Sequence, residues 1–384
     1  MNKIGISIAT LVGTIVGAGI LGIPYIIAKA GLIAGIIDIV GIGLLLMMLN
    51  LYLGEVTLRT KGNHQLTGYA EKYLGKKGKL ILTIAMMIEI YGALLAYTIG
   101  QGTSFASLFG GNAFIYSIIF FIVASYLIFK GLKTIGKTEF VLVTILLITI
   151  VLVSIFSTSH ISPENYTAGK GNIFIPFGII LFAFLGVTTI PLLKEQLTRN
   201  RKEIKKAVIW GSIISIAIYL IFALTVVGIV GIKGFESLSI DERIASAALN
   251  VFINGPIGLF VNLFAIIAMG TSFLALGIAL EKMYEYDYNM KKVNAWLLTI
   301  IVPLVIFFWD VFISDITNFI QILSLTGAVS GGITCILVVA IFHKAKKIGK
   351  RKPEYKIKGY KFLSTMMVIL FLIAIFYELF NFFF

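Results

Sequence analysis

Charged residues are scarce in this chain of 384 residues. Asp, Glu, Lys and Arg make up 13% of the sequence, and 59% is hydrophobic. A soluble globular protein averages roughly 25% charged and 45–50% apolar residues, so the shortage of charge argues against a soluble domain. Cysteine is nearly absent as well. The single residue, Cys335, excludes a disulfide within the chain and a cysteine-based metal site.

Reactive side chains are equally few. The three histidines, His64, His160 and His343, fall in predicted loops or at the end of an apolar run. The chain contains no His-Glu-x-x-His, phosphate-binding-loop or Gly-x-Ser-x-Gly motif. We therefore expect neither an enzyme nor a cofactor.

Long apolar runs dominate what is present. Eleven of them reach the length of about 20 residues that a helix needs to cross a bilayer. We number them spans 1 to 11. They cover residues 5–29, 32–58, 79–109, 112–130, 137–157, 173–193, 205–231, 256–281, 293–309, 315–342 and 361–381. The sequence thus predicts an all-α integral membrane protein with one transmembrane domain over residues 1–384.

The basic residues alternate with the spans. Of 32 Lys and Arg residues, 28 lie in the N-terminal segment or in loops on one side of the predicted membrane, and only Lys29, Lys170, Lys233 and Arg243 lie on the other. The positive-inside rule then places the N-terminus in the cytoplasm and the C-terminus outside. The net charge of +14 is explained by topology and contact with anionic membrane lipids, without nucleic acid as a partner.

Two spans are interrupted in the middle. Span 1 carries four glycines and a proline in GTIVGAGILGIP (13–24), and span 6 carries FAFLGVTTIP (182–191). At membrane depth such breaks are tolerated only where the backbone faces protein or a cavity. Because spans 1 and 6 are five spans apart, five-span repeats insert in opposite orientations, a pattern typical of inverted-repeat transporters. We predict repeats at 5–157 and 173–342, with 361–381 as an additional helix.

The breaks supply candidate substrate contacts. A helix that restarts near Gly17 points free N–H groups and its positive dipole end at a cavity, which suits a carboxylate. Unwinding in span 6 frees carbonyls for an ammonium group, and Phe184 then lines a side-chain pocket. The alternatives are a packing face of small residues in span 1 and a simple kink at Pro191. The remaining candidates at the two breaks are Thr14, Ala18, Gly19, Phe182, Ala183 and Leu185.

Two further features point to a coupling cation. Ala268, Thr271 and Ser272 share one face of span 8, and their oxygens, with the carbonyls of Gly13 and Val16, make about five donors. The alternative is that both hydroxyls bond back to the preceding helical turn. Glu89 lies about 15 Å into span 3, where acids are expensive, and is a candidate proton carrier or else a structural acid. The choice between sodium and proton stays open.

The interrupted segments resemble amino acid permeases of the amino acid–polyamine–organocation superfamily, in particular the amino acid/auxin and the hydroxy- and aromatic-amino-acid permeases. Glu55 near the end of span 2 and TSFLALG (271–277) in span 8 carry the same resemblance. It implies a LeuT-like fold of two inverted five-helix repeats with discontinuous spans 1 and 6 and an eleventh helix. It also implies that Tyr91 closes over the substrate and that the oxygens between spans 1 and 8 resemble a sodium site. Ala279-Leu280-Glu281 departs from the "LFD" of the bacterial aromatic permeases.

These observations favour a secondary transporter of the cell membrane that imports amino acids, neutral or aromatic, by cation-coupled alternating access. A channel and a transporter of some other organic cation or amine are the alternatives. A channel needs a continuous polar pore or a filter ring, and two isolated broken helices argue against it. The sequence does not predict the oligomeric state.

Overall fold

The computed structural model describes residues 3–62, 64–131, 135–166, 172–198, 200–253, 256–311 and 319–383, and every regular element within these ranges is helical. The α-helices are α1 (Lys3–Ile15), α2 (Gly19–Ala30), α3 (Leu32–Arg59), α4 (Leu66–Phe109), α5 (Ala113–Lys130), α6 (Ile135–Phe156), α7 (Phe177–Phe184), α8 (Ile190–Gln196), α9 (Ile204–Ser237), α10 (Ala245–Phe252), α11 (Pro256–Asp287), α12 (Lys292–Trp309), α13 (Phe319–Thr326), α14 (Gly332–Ile348) and α15 (Lys361–Phe383).

Nine helical segments of the described ranges are long and apolar enough to cross a membrane, with α7–α8 and α13–α14 each taken as one. The bent pair α1–α2 makes a tenth, and the apolar part of α6, Val141–Phe156, is shorter. These segments coincide with predicted spans 1 to 11, although residues 315–318 of span 10 lie outside the described ranges. The protein is therefore a multi-pass membrane protein.

A short helix precedes span 3. Helix α4 starts at Leu66, but its backbone is non-helical at Gly75, so residues 66–74 form a separate helix joined to the span by a kink, and the span itself begins within a few residues of the predicted position 79. Gly75 has φ of +77°, a value that only glycine adopts without strain. The segment before Gly75, residues 66–74, belongs to the basic loop between spans 2 and 3.

The basic loops meet at one end of the helix bundle, which we call the basic end. Lys194 Nζ donates to the Thr60 carbonyl over 3.2 Å, and the Arg351 N–H donates to the Arg59 carbonyl over 3.1 Å. Asp287 accepts from the Gly68 N–H over 3.2 Å. Loops that precede and follow alternate spans thus share one side of the bundle, as the alternation of basic residues predicts.

Burial separates central spans from peripheral ones. Span 6 is 94% buried within its most apolar window, whereas spans 4, 9 and 11 are 28%, 28% and 22% buried. Large apolar side chains such as Ile122, Val305 and Phe376 are exposed on these outer helices, which is expected of surfaces that face lipid. The interrupted span 6 therefore lies in the middle of the bundle.

Candidate functional site

Span 1 is broken at the predicted position. Helix α1 ends at Ile15, helix α2 begins at Gly19, and their axes differ by 52°. The Gly17 N–H donates to the Ile15 carbonyl over 2.8 Å, and the Ile20 N–H donates to the Gly17 carbonyl over 3.4 Å. In a continuous helix these two N–H groups would serve the carbonyls of Gly13 and Val16. The break therefore releases both carbonyls from the helical hydrogen-bond ladder.

The same break leaves donors at the start of α2. The Leu21 N–H donates to the Ala18 carbonyl over 3.0 Å, and the Ile20 N–H is also used. Among the described backbone bonds at the break, the N–H groups of Ala18 and Gly19 have no acceptor. They stand at the positive end of the dipole of a 12-residue helix.

Span 6 is interrupted opposite this point. Helix α7 ends at Phe184, Leu185 is extended with ψ of 96°, and a 3₁₀ turn over Val187–Thr189 leads into α8. The Leu185 N–H donates to the Phe182 carbonyl over 3.1 Å. A Cβ atom built on Gly19 would lie 2.8 Å from Ala183 Cα, so the two broken helices touch at this glycine.

The hydroxyl of Tyr219 lies between the two breaks. This residue of span 7 is fully buried, and its hydroxyl donates to the Ile15 carbonyl and, over 2.9 Å, to the Ala183 carbonyl. One hydroxyl proton is shared between two acceptors. The Phe184 ring packs edge-on against the Tyr219 ring at a centroid distance of 4.7 Å. Tyr219 thus ties the carbonyls that the breaks expose to a third helix.

A small cavity of about 20 Å³ lies where the breaks meet. We call it the central cavity. Six predicted substrate contacts line it: Thr14, Gly17, Gly19, Phe182, Ala183 and Leu185. Its other lining residues are Ile15, Glu89, Tyr97 and Leu276. The structure therefore brings together most residues that the two interrupted motifs nominate.

Three predicted substrate contacts lie elsewhere. Ala18 is fully buried behind the cavity wall, and Phe184 packs on Tyr219. The Tyr91 hydroxyl bonds to the Tyr284 hydroxyl over 2.8 Å and donates to the Leu298 carbonyl over 3.0 Å. These bonds orient Tyr91 toward spans 8 and 9, whereas Tyr97, six residues further along span 3, lines the central cavity.

A larger space, the inner vestibule, opens toward the basic end. It has a volume of about 300 Å³ and shares Thr14 and Leu276 with the central cavity. Its lining includes Glu195 and Lys282, which belong to the basic end. The vestibule therefore connects the breaks with that end of the bundle.

A chain of hydrogen bonds follows one wall of the vestibule. The Thr189 hydroxyl of span 6 donates to the Thr14 hydroxyl over 2.7 Å, which donates to the Thr10 carbonyl over 2.9 Å. Gln196 Nε2 donates to the Thr10 hydroxyl over 3.1 Å, and the Ser7 hydroxyl donates to Gln196 Oε1 over 2.9 Å. The halves of spans 1 and 6 nearest the basic end are held together by these bonds.

The span 8 oxygens divide into two groups. Ser272 Oγ is buried and would lie 2.1 Å from a Cβ atom on Gly17, so it points directly at the break in span 1. The Thr271 hydroxyl donates to the carbonyls of Ile267 at 2.9 Å and Ala268 at 3.1 Å. Thr271 therefore follows the back-bonding alternative, whereas Ser272 Oγ is directed at the break, and its part in a cation site stays a prediction.

Tyr219, Thr189 and Leu276 are the site residues that sequence reasoning misses. Thr189 lies within the interrupted motif of span 6, and this position next to the break could have identified it as a site residue. Tyr219 is an isolated aromatic residue in an ordinary apolar span, and nothing local indicates where its hydroxyl points. Its role depends on the packing of span 7 against two helices distant in the chain.

Comparison with known sequences agrees with this geometry. A profile of the tryptophan/tyrosine permease family matches residues 1–380. The chain belongs to this family. "Tyrosine-specific transport system 1" of Haemophilus influenzae is 26% identical over 387 residues, which are 96% of this chain and 95% of that protein. "Glutamine transporter 2" of Aliivibrio fischeri is 26% identical over 307 residues, 77% of this chain and 78% of that protein.

Membership of the tryptophan/tyrosine permease family confirms the resemblance to amino acid permeases. "Tyrosine-specific transport system 2" of Haemophilus influenzae, 25% identical over 96% of this chain, is similar along nearly the same length. A member of this permease family is a transporter and not an enzyme. The predictions of an amino acid transporter and of a protein without enzyme activity are therefore confirmed.

Proposed function

We propose that this permease imports neutral amino acids, aromatic ones among them, across the cell membrane by cation-coupled alternating access. The observation that carries the proposal is the meeting of two broken helices at one central cavity. Secondary transporters hold their substrates at such a position. Tyrosine and glutamine, named for two relatives, are both neutral amino acids.

The packing of the spans supports a LeuT-like fold. Span 1 packs on span 7 and span 6 on span 2; span 3 packs on span 10 and span 8 on span 5; span 3 packs on span 4 and span 8 on span 9. In each of these three pairs of contacts, the second contact is obtained from the first by shifting both span numbers by five. Equivalent spans of the two halves therefore make equivalent contacts. We infer inverted repeats at 5–157 and 173–342, with span 11 added against spans 6 and 10.

The two poles of an amino acid fit the two breaks. The N–H groups of Ala18 and Gly19 at the start of α2 suit the carboxylate, with the Thr14 hydroxyl beside them. The span 6 side of the cavity, with Phe182 and Leu185, then faces the remaining part of the amino acid. Glu89 is the one charged side chain among the described lining residues. A zwitterion with a neutral side chain therefore leaves no substrate charge without a partner.

Sodium is the coupling ion that the described oxygens favour. The carbonyls of Gly13 and Val16 are free of the helical ladder, and Ser272 Oγ faces the same break. Thr271 and the Ala268 carbonyl complete the set on span 8. Hard oxygen donors of this kind suit sodium and other hard cations. A proton carried by Glu89 is the competing route.

The structure corresponds to an inward-facing state if the basic end is cytoplasmic, as the positive-inside rule requires. The inner vestibule then leads from the central cavity toward the cytoplasm. At the opposite end, Tyr25 packs on Phe235 at 5.6 Å and accepts a hydrogen bond from Arg243 over 3.2 Å. Alternating access then requires that these outer contacts open while the walls of the inner vestibule close on each other.

Uptake into proteoliposomes tests the proposal. The purified protein is assayed with labelled tyrosine, tryptophan, glutamine and a wider panel, under an imposed sodium gradient and, separately, a proton gradient. We expect one neutral amino acid to accumulate under the sodium gradient. Accumulation under the proton gradient alone would move the coupling to Glu89, and no accumulation of any amino acid would overturn the proposed substrate class.

A further inference from the structure

The carboxyl group of Glu89 faces the central cavity without a counter-charge. The residue is 4% exposed, and Oε2 is buried with no hydrogen-bond partner among the described residues. No Lys, Arg or His side chain occurs among the described residues that line the cavity. A carboxyl group buried without a partner is costly to ionise, so it either carries a proton or pairs with a cationic group that enters the cavity.

Two of the three span 6 carbonyls expected to receive the substrate ammonium are already hydrogen-bonded. The Ala183 carbonyl accepts from the Tyr219 hydroxyl and the Phe182 carbonyl accepts from the Leu185 N–H, whereas no described backbone bond reaches the Leu185 carbonyl. None of these carbonyls carries a formal charge. Hydrogen bonds between two charged groups are roughly twice as strong as neutral ones. Glu89 is therefore the stronger acceptor for an ammonium group in this cavity.

The cavity has a positive pole as well as a negative one. Gly19 lines it at the N-terminus of α2, where N–H groups without acceptors and the helix dipole favour an anion. Glu89 supplies the negative pole from span 3. We propose that Glu89 binds the α-ammonium group of the substrate while the start of α2 binds its carboxylate. This inference rests on the proposed amino acid transport and assigns a charged side chain to one pole of the substrate.

The proposal defines the class of ligands. An α-amino acid satisfies both poles, whereas a carboxylic acid without the amine leaves Glu89 buried and unpaired. Loss of one member of a buried charge pair weakens binding by about 30-fold or more. An amino acid with a cationic side chain introduces a second positive charge that no described lining residue neutralises. Neutral amino acids are therefore preferred over carboxylic acids that lack the amine and over amino acids with a cationic side chain.

A proton-carrying Glu89 makes a different prediction. Counterflow exchanges labelled for unlabelled substrate at equal ion concentrations and needs binding but no coupling gradient. Removal of a proton carrier spares counterflow and abolishes only gradient-driven accumulation. Removal of an ammonium ligand weakens both, because the substrate binds less tightly. The two roles are thus separable in one preparation.

The experiment compares wild type, Glu89→Gln and the control Asp38→Asn in proteoliposomes. Asp38 is also buried, with Oδ2 unpartnered, but does not line the central cavity. The probe is tyrosine, or glutamine if tyrosine is not exchanged. We expect Glu89→Gln to lower the affinity in counterflow by about 30-fold or more and Asp38→Asn to leave it within a few-fold. Counterflow by Glu89→Gln with wild-type affinity overturns the inference.

Competition with des-amino-tyrosine gives a second measurement. In wild type we expect this amine-free analogue to compete at least about 30-fold more weakly than tyrosine, and in Glu89→Gln the difference collapses to a few-fold. Equal competition in wild type overturns the inference without any variant. If Glu89→Gln does not fold, as judged by size-exclusion chromatography, Glu89→Asp takes its place, with an intermediate affinity expected and an unchanged one contradictory. A wild type that exchanges no amino acid refutes the proposed function instead.

Discussion

The contact between the two broken helices makes Gly19 the most sensitive small residue of the site. A Cβ atom added at Gly19 would lie 2.8 Å from Ala183 Cα and 2.7 Å from Ala183 Cβ. Carbon atoms in van der Waals contact are about 3.5–4.0 Å apart, so both separations are far too short. Because one of the opposing atoms belongs to the backbone, no rotamer change relieves the clash. Gly19→Ala must push α2 away from α7.

Overpacking of this kind costs about 1–3 kcal/mol. Alanine recovers up to about 1 kcal/mol of helix propensity relative to glycine, which does not offset the upper part of that range. The displacement falls on the N–H groups proposed to hold the substrate carboxylate. If the cost is borne by the substrate-bound state, 1–3 kcal/mol corresponds to a loss of about 5- to 150-fold in affinity. Gly19→Leu, with a larger side chain, is expected to abolish uptake.

Initial rates of tyrosine uptake over a range of concentrations measure this effect, with thermal unfolding of the purified variants alongside. Gly41→Ala is the matched control, because Gly41 lies in span 2 and a Cβ atom there meets nothing within 4 Å. We expect the control to transport like wild type and to be equally stable or slightly more so. A folded Gly19→Ala protein with wild-type affinity and rate would refute the close approach of α2 and α7 as the basis of the site.

Three other substitutions test neighbouring parts of the structure. Tyr219→Phe leaves the buried Ala183 carbonyl without its described donor and the Ile15 carbonyl with the Gly17 N–H alone, which costs about 1–3 kcal/mol. We expect slower counterflow with the protein still inserted, and an unchanged rate would contradict the bridging role. Thr271→Ala combined with Ser272→Ala is expected to remove the dependence of uptake on sodium, and persistent sodium stimulation would exclude these hydroxyls as ligands. Tyr355→Phe removes a buried hydrogen bond of 2.9 Å to a carbonyl in span 2 and should lower the unfolding midpoint in detergent, whereas Tyr360→Phe, at a residue 58% exposed, should not.

Much of the architecture could be predicted because it depends on local properties of the chain. An apolar run about 20 residues long has few alternatives to a membrane-spanning helix. The break in span 1 falls where Gly17 and Gly19 weaken the helix, and span 6 is interrupted beside Gly186. The start of span 3 is predicted to within a few residues, because the backbone break at Gly75 separates the short helix over 66–74 from the span.

The identity of the groups at the site was harder to predict. The interrupted motifs nominated six of the residues that line the central cavity, since a break must face a cavity or protein. They did not nominate Tyr219, and the family resemblance pointed to Tyr91 in span 3, whereas Tyr97 lines the cavity. On a helix of 3.6 residues per turn, residues six positions apart face different directions, and which one faces the cavity depends on the rotation of the span.

The sequence by itself determined that this chain is a multi-pass membrane protein with two interrupted spans, because hydropathy and backbone propensity act over neighbouring residues. Only the tertiary structure decided which polar groups meet at the interruptions. Tyr219 reaches the carbonyls of Ile15 and Ala183 across 204 and 36 positions of the chain. Glu89 likewise reaches the central cavity through the rotation and packing of span 3. Contacts between distant helices depend on how whole surfaces pack, and no local pattern encodes that packing.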